Sequence, residues 1–262
     1  MDDTMLPRTF VIGDIHGGLL ALKQLLHKVG IQPSDTLIFI GDYVDGWSQS
    51  AGVISYLLQL RSSCHCIFLR GNHDAYCEQW LETGIPEANW LKNGGGTTIN
   101  SYQQVPEDIR HLHRQFFREL LNFYVDNENR LFVHAGFISK SGVRHEPDYK
   151  NFYWDRTLWQ QTLQHKAAKG EQGPARLGLY KSVYIGHTPT LNSGSTVPVQ
   201  AYNLWNVDTG AGYTGPLSAL EIHTEAVYQS DIVRWFYPNE TGRNGGAQAA
   251  PIIHQLFKRL PQ

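Results

Sequence analysis

The sequence predicts an α/β chain whose strands end at one shared, chemically equipped edge. Short apolar runs at residues 8–12, 36–40 and 66–69 give way at once, or one residue later, to glycine followed by Asp or Asn: Gly13-Asp14, Gly41-Asp42 and Gly71-Asn72. The stretches between these runs carry apolar residues at helical spacing. The runs are continuous rather than alternating, as strands covered on both faces require. Strand, helix, strand, helix, strand is the pattern of parallel βαβ units.

Each element follows from its residues. Residues 8–12 form a β-rich run. In the next stretch Leu19, Leu22, Leu25, Leu26 and Val29 share one helical face. Gly30 can close that helix, because glycine accepts the left-handed backbone of a helix end. Residues 51–60 read as a second helix. Residues 75–124 read as a polar, helical insertion, a small cap; Gly94-Gly95-Gly96 interrupts it as a joint, and Pro106 restarts it. Two more strands are expected at 131–134 and 182–185, followed by short β-like runs between 197 and 229. Beyond Tyr237 the chain is rich in Gly, Asn and Pro and is expected to be irregular. This divides the chain into a domain at 1–237 and a tail at 238–262.

A length of 262 residues suits one large domain carrying a small cap. The balance of 41% apolar and 18% charged residues is that of a globular protein. A formal net charge of -2 gives no basic surplus, so no nucleic-acid partner is expected. No apolar stretch reaches membrane-spanning length, and residues 1–7 lack a basic leader, so no membrane association is expected. Cys64, Cys66 and Cys77 are too few and odd in number for a disulfide framework. That fits a cytoplasmic location. Cys64-His65-Cys66 falls short of a metal-ligand set and reads as strand packing.

The chemistry sits in five segments of one design. They are Gly13-Asp14-Ile15-His16-Gly17, Gly41-Asp42-Tyr43-Val44-Asp45-Gly46, Gly71-Asn72-His73-Asp74, Val133-His134-Ala135-Gly136 and Ile185-Gly186-His187-Thr188. One Gly-Asp at a strand end is commonly only a turn; five such ends in one chain are not. At the carboxyl edge of parallel strands they converge on one ligand site. Carboxylates, imidazoles and an amide oxygen suit two divalent ions such as Mn, with Fe, Zn or Co also accommodated. In this reading Asp14 and His16 hold one ion, Asn72, His134 and His187 hold the other, and Asp42 bridges them. Two such ions stabilise the attacking and leaving oxygens of a displacement at phosphorus, and they lower the pKa of bound water toward about 7.

The motifs GDIHG, GDYVDG, GNHD, VHAG and GHTP, with Gly13, Gly41 and Gly71 at matching intervals, resemble the calcineurin-like metallophosphoesterase superfamily. More narrowly they resemble bacterial members of the phosphoprotein (Ser/Thr) phosphatase family. The resemblance spans about residues 8–222. It implies a four-layer fold, a central β-sandwich of mixed sheets flanked by helices, which amends the purely parallel reading. It implies the same six metal ligands and a metal-bridging hydroxide as nucleophile. It further implies that His73 protonates the leaving oxygen, that Asp45 orients His73, and that Arg70 and Arg156 grip phosphate. The family carries arginine where Gly46 stands here, so one phosphate contact is missing or supplied from elsewhere. Trp47, which follows it, either walls the substrate cleft or packs on the cap.

The expected substrate is a phosphorylated protein or a small phosphate ester. The alternative is a symmetrical dinucleoside (diadenosine) tetraphosphate hydrolase, which the Asn93-Gly94-Gly95 stretch and Asp208-Thr209-Gly210 resemble. Asp45 tilts the choice toward monoesters, because a seryl alkoxide leaves poorly and needs a general acid, whereas a nucleotide phosphate leaves readily. An inactive metal-binding scaffold is the reading from another class; it predicts a lost ligand, and all six positions hold suitable residues.

Overall fold

The fold is described from a computed structural model covering residues 7–243; the acidic N-terminus and the tail from 244 onward lie outside it. The chain opens with β1 (Thr9–Ile12), α1 (Leu19–Val29), β2 (Thr36–Phe39), α2 (Ser50–Leu60) and β3 (His65–Phe68). Four helices follow: α3 (Asn72–Thr83), α4 (Ala88–Trp90), α5 (Gly96–Ser101) and α6 (Glu107–Arg118). Next come β4 (Phe123–Val125), β5 (Arg130–Val133), α7 (Asn151–Trp154), α8 (Thr157–Ala167) and β6 (Ser182–Ile185). The last elements are β7 (Val199–Ala201), β8 (Leu204–Asn206), β9 (Pro216–Glu221) and β10 (Val227–Ile232). None of these helices is long and apolar enough to cross a membrane.

The strands form two mixed sheets, ordered β10-β9-β1-β2-β3 and β4-β5-β6-β8-β7. The βαβ reading holds for β1, β2 and β3, which pair in parallel. It also holds for β5, β6 and β8. Elsewhere β4-β5, β7-β8 and β9-β10 are joined by connections too short for a parallel crossover and pair antiparallel; β9 also pairs antiparallel with the distant β1.

The sheets face each other across Val11, Ile38, Ile40, Leu69, Phe132, Tyr184, Val207 and Leu220, drawn from both. The predicted face of α1 is buried through Leu22, Leu25, Leu26 and Val29 against the other side of the first sheet, and Gly30 ends it in the left-handed conformation. The second sheet is covered by α7 and α8 through Phe152, Tyr153, Leu158 and Trp159. Helix, sheet, sheet, helix is therefore the layer order.

Helices α3, α4 and α6 supply Cys77, Trp90, Phe116 and Phe117, and the residue just past α5 supplies Tyr102, to the same core as α1 and α2. Residues 123–125, inside the stretch expected to be helical, form β4 instead, because Phe123, Tyr124 and Val125 pair with Val133, Phe132 and Leu131. That partner lies beyond a turn, and helical periodicity upstream does not reveal it.

Candidate metal centre

The site assembles where strands of both sheets end. Asp14 follows β1, Asp42 follows β2, Asn72 follows β3, His134 follows β5, His187 follows β6 and Asp208 follows β8. The backbone bends sharply there: His16, Asp42, Asp45 and His187 all have positive φ, at 51°, 53°, 70° and 66°. Non-glycine residues adopt that region at a cost, and such strain clusters at functional sites. The loops are tied together, since the N–H groups of Ile15 and His16 both donate to the Asp42 carbonyl at 3.0 and 2.9 Å. Asp74 ties the next pair, accepting from the N–H of Gly71 at 2.8 Å, Asp42 at 2.7 Å and Tyr43 at 2.9 Å.

The motif glycines do more than turn the chain. A methyl group on Gly71 would stand 2.1 Å from Asp42 Oδ1, and one on Gly186 would stand 2.2 Å from Asp14 Oδ1. Only glycine leaves room for each carboxylate against the neighbouring strand end.

All six predicted ligands come together, each at most 5% exposed. Asp14, His16 and Asp42 form one group able to hold a metal ion; Asp42, His134 and His187 form a second, with Asp42 common to both. Asn72 joins the second, its Oδ1 2.9 Å from His187 Nδ1 and 3.3 Å from His134 Nε2. The imidazoles are oriented by carbonyls, which can only accept. His16 Nδ1 donates to Val44 O and His134 Nδ1 to Ile40 O, both at 3.0 Å, so each Nε2 lone pair turns inward.

This donor set fits divalent ions. Asp14 Oδ1 and His187 Nε2 are buried with no hydrogen-bond partner among the described residues. Burial, with Asp208 and Asp42 nearby, pushes Asp14 well above the ordinary carboxylate range. Asp208 is pushed up to about 6, chiefly by burial. Asp42 is buried too, yet His134, His73 and His16 hold it well below that range. Lone pairs and carboxylates turned on one another in a dry site need cations between them.

Beside this group, His73 Nδ1 lies 2.5 Å from Asp45 Oδ2. Asp45 is fully buried and also accepts from Trp90 Nε1 at 2.6 Å and Thr98 Oγ1 at 2.6 Å. Thr97 Oγ1 accepts from the Gly46 N–H at 3.1 Å. With Nδ1 fixed, the His73 ring can exchange a proton only through Nε2, and it packs edge-on against the His16 ring at 5.2 Å. The glycine joint thus also presses against this loop: a Cβ on Gly94 would lie 3.4 Å from that of Asp45.

The two predicted arginines fare differently. Arg156 Nη1 donates to Thr188 Oγ1 at 3.0 Å, next to His187. Arg70 is committed to Glu78, and its Nη2 donates to Phe117 O at 2.8 Å. It lines a groove of about 930 Å³ that opens beside Asn72 and carries Tyr76, Tyr149, Tyr153 and Trp154. Trp47 neither walls the cleft nor packs on the helical insertion. It is fully buried, donates from Nε1 to Ala211 O at 2.8 Å and stacks on Tyr237 at 5.2 Å. Residues past Tyr237 are correspondingly not detached: Glu240 accepts from Ser48 N at 2.8 Å, and Arg243 reaches His16. Sequence reasoning gives no role to Asp74, though it stands in the third motif, and does not name Trp90, Thr97, Thr98 or Arg243.

Known proteins bear on this geometry. The calcineurin-like phosphoesterase family matches residues 7–210. The asymmetrical bis(5'-nucleosyl)-tetraphosphatase PrpE of Anoxybacillus flavithermus is 27% identical over 230 residues, covering 80% of this chain and 88% of that one. A crystal structure of a candidate diadenosine tetraphosphatase superposes with TM-score 0.61 at 21% identity, over 86% of this chain and 94% of that one. A serine/threonine phosphatase of Saccharomyces cerevisiae with similarity to human PP5 superposes with TM-score 0.56 at 18% identity, over 84% of this chain and 74% of that one. With the family match covering most of its length and two groups of side chains able to hold a metal ion at its strand ends, this chain belongs to the calcineurin-like phosphoesterase family.

Proposed function

We propose that this metallophosphoesterase hydrolyses dinucleoside tetraphosphates, with six side chains holding two divalent ions: Asp14, His16, Asp42, Asn72, His134 and His187. The observation that carries the substrate class is the similarity to the asymmetrical tetraphosphatase along most of both chains. The groove beside Asn72 supports it, since exposed Trp154 and neighbouring tyrosines offer faces on which a base can stack. Divalent ions bound here, manganese by preference, would supply a nucleophilic water at neutral pH and neutralise phosphate charge. The chain's own residues do the rest. Arg156 binds phosphate oxygens, Arg70 borders the groove that receives the remainder of the substrate, and His73 delivers a proton from Nε2 to the leaving oxygen while Asp45 holds its ring.

One observation favours a second reading. The His73–Asp45 pair is complete and braced by Trp90 and Thr98, which suits a leaving alkoxide such as that of phosphoserine. The choice is tested on manganese-loaded protein offered diadenosine tetraphosphate or a phosphoserine peptide. A higher kcat/KM on the dinucleotide, with ATP and AMP as products, is expected. Two ADP would mean symmetrical cleavage, and a higher kcat/KM on the peptide would establish the monoester reading.

A further inference from the structure

Arg243 comes from the last described residues, yet it reaches the centre of the site. Its N–H donates to Gly212 O at 2.8 Å, its guanidinium lies over the Tyr213 ring at 5.1 Å, and Nη1 is 3.4 Å from His16 Nε2. The stem threads between glycines. A Cβ on Gly46 would stand 3.0 Å from its Cγ, and one on Gly212 would stand 3.0 Å from its Cδ. A side chain at Gly46 and the Arg243 stem therefore compete for one volume. The segment that delivers it is anchored, through Tyr237 on Trp47 and Glu240 on Ser48.

The guanidinium is not consumed by that docking. Its Nε is buried without a hydrogen-bond partner among the described residues. Its charge sits against the cage, with Nη1 beside the inward-facing Nε2 of His16. A cation aimed at ligands for two divalent ions is repelled once those ions bind. An anion between them turns that repulsion into attraction, and a guanidinium fork matches a phosphate.

We infer that Arg243 is a phosphate-binding residue, delivered by the C-terminal segment into the space that Gly46 leaves open. It stands with Arg156 as a second guanidinium for the phosphate at the metal centre. The inference rests on the phosphoesterase reading.

The test uses the full chain loaded with manganese, with inorganic phosphate as the probe. Phosphate affinity is measured by calorimetry, and independently as inhibition of p-nitrophenyl phosphate hydrolysis. Wild type is compared with Arg243→Ala, Arg243→Lys and Arg243→Gln, the last two preserving most of the stem's packing. Loss of one charge-assisted contact predicts phosphate binding weakened about 10–100-fold in the Ala and Gln variants, partial recovery in Lys, and unchanged manganese content. Phosphate affinity within twofold of wild type in both Ala and Gln would overturn the assignment. So would tighter manganese binding with phosphate affinity unchanged, since Arg243 would then be a stand-in for the metal. If wild type itself binds no phosphate, the phosphoesterase reading falls; if wild type and Arg243→Ala bind it equally, only Arg243 does.

Discussion

Replacing Gly71 with alanine tests whether the site is held by close approach rather than by turn flexibility. The backbone of Gly71 is extended, with φ -93° and ψ 168°, so alanine carries no conformational penalty there. The added methyl, however, would stand 2.1 Å from Asp42 Oδ1 and 2.3 Å from Asp42 N. Asp42 is 1% exposed, and its Oδ1 accepts from the His73 N–H at 3.0 Å, so it has no free direction in which to yield. Reaching an ordinary contact requires a displacement of about 1 Å, which at a catalytic centre is worth about 10²-fold in rate. Overpacking itself costs about 1–3 kcal/mol. Gly96→Ala is the control: nothing lies within 4 Å of a Cβ there, and φ is -60°. Removing unfolded-state freedom at that position is worth about 0.4–1 kcal/mol in the stabilising direction. Manganese titration calorimetry, turnover of p-nitrophenyl phosphate and thermal melting are the assays. Gly71→Ala with manganese affinity and turnover within twofold of wild type would refute the reasoning.

Gly186→Ala displaces Asp14 rather than the shared Asp42, so metal content is expected to fall from two ions to one; plasma mass spectrometry of desalted protein reads this. Asp45→Asn and His73→Asn are expected to slow phosphoserine hydrolysis by about 10²-fold or more while changing p-nitrophenyl phosphate turnover far less, because nitrophenolate leaves without a proton. Equal losses on both substrates would remove the general acid. His113 gives a pH prediction away from the metals: its nitrogens meet Ser55 Oγ and Tyr102 OH, both at 2.9 Å, and burial lowers its pKa to about 4. The unfolded chain takes up this proton near pH 6.5, before the folded one does. Its stability contribution is therefore full above that pH and lost as pH falls toward 4, by about 2 kcal/mol at pH 5. His113→Gln should flatten the urea-denaturation pH profile by that amount, and an unchanged slope would contradict the account.

The candidate metal ligands were legible because five of the six stand directly beside a glycine at the end of an apolar run, and the sixth, His134, is two residues from Gly136. The layers became legible only through resemblance, since the run at 8–12 does not say that β9 pairs with it from across the chain. What stayed hidden is support brought from a distance. Asp45 is named by its motif, but Trp90 and Thr98, which fix it, follow 45 and 53 residues later on helices with no motif of their own. The Asn93-Gly94-Gly95 stretch was the one hint, as the joint that lets α5 approach this loop. From sequence Trp47 could wall the cleft or pack on the cap; its stacking partner, Tyr237, lies in neither place and could not be read from its neighbours. Arg243 stands 227 residues from His16, in a stretch whose composition suggests only irregularity. The absence of arginine at Gly46 was visible, but not where a replacement would come from.

Metal stoichiometry measured together with turnover bears most directly on the two-ion centre. Desalted wild-type protein is expected to carry two manganese equivalents per chain, with phosphoesterase activity that rises with the second. Asp42→Asn, which alters the one carboxylate common to both groups, is expected to weaken both ions and abolish turnover. Full activity with a single ion, or two tightly held ions in Asp42→Asn, would contradict a centre built around a shared Asp42.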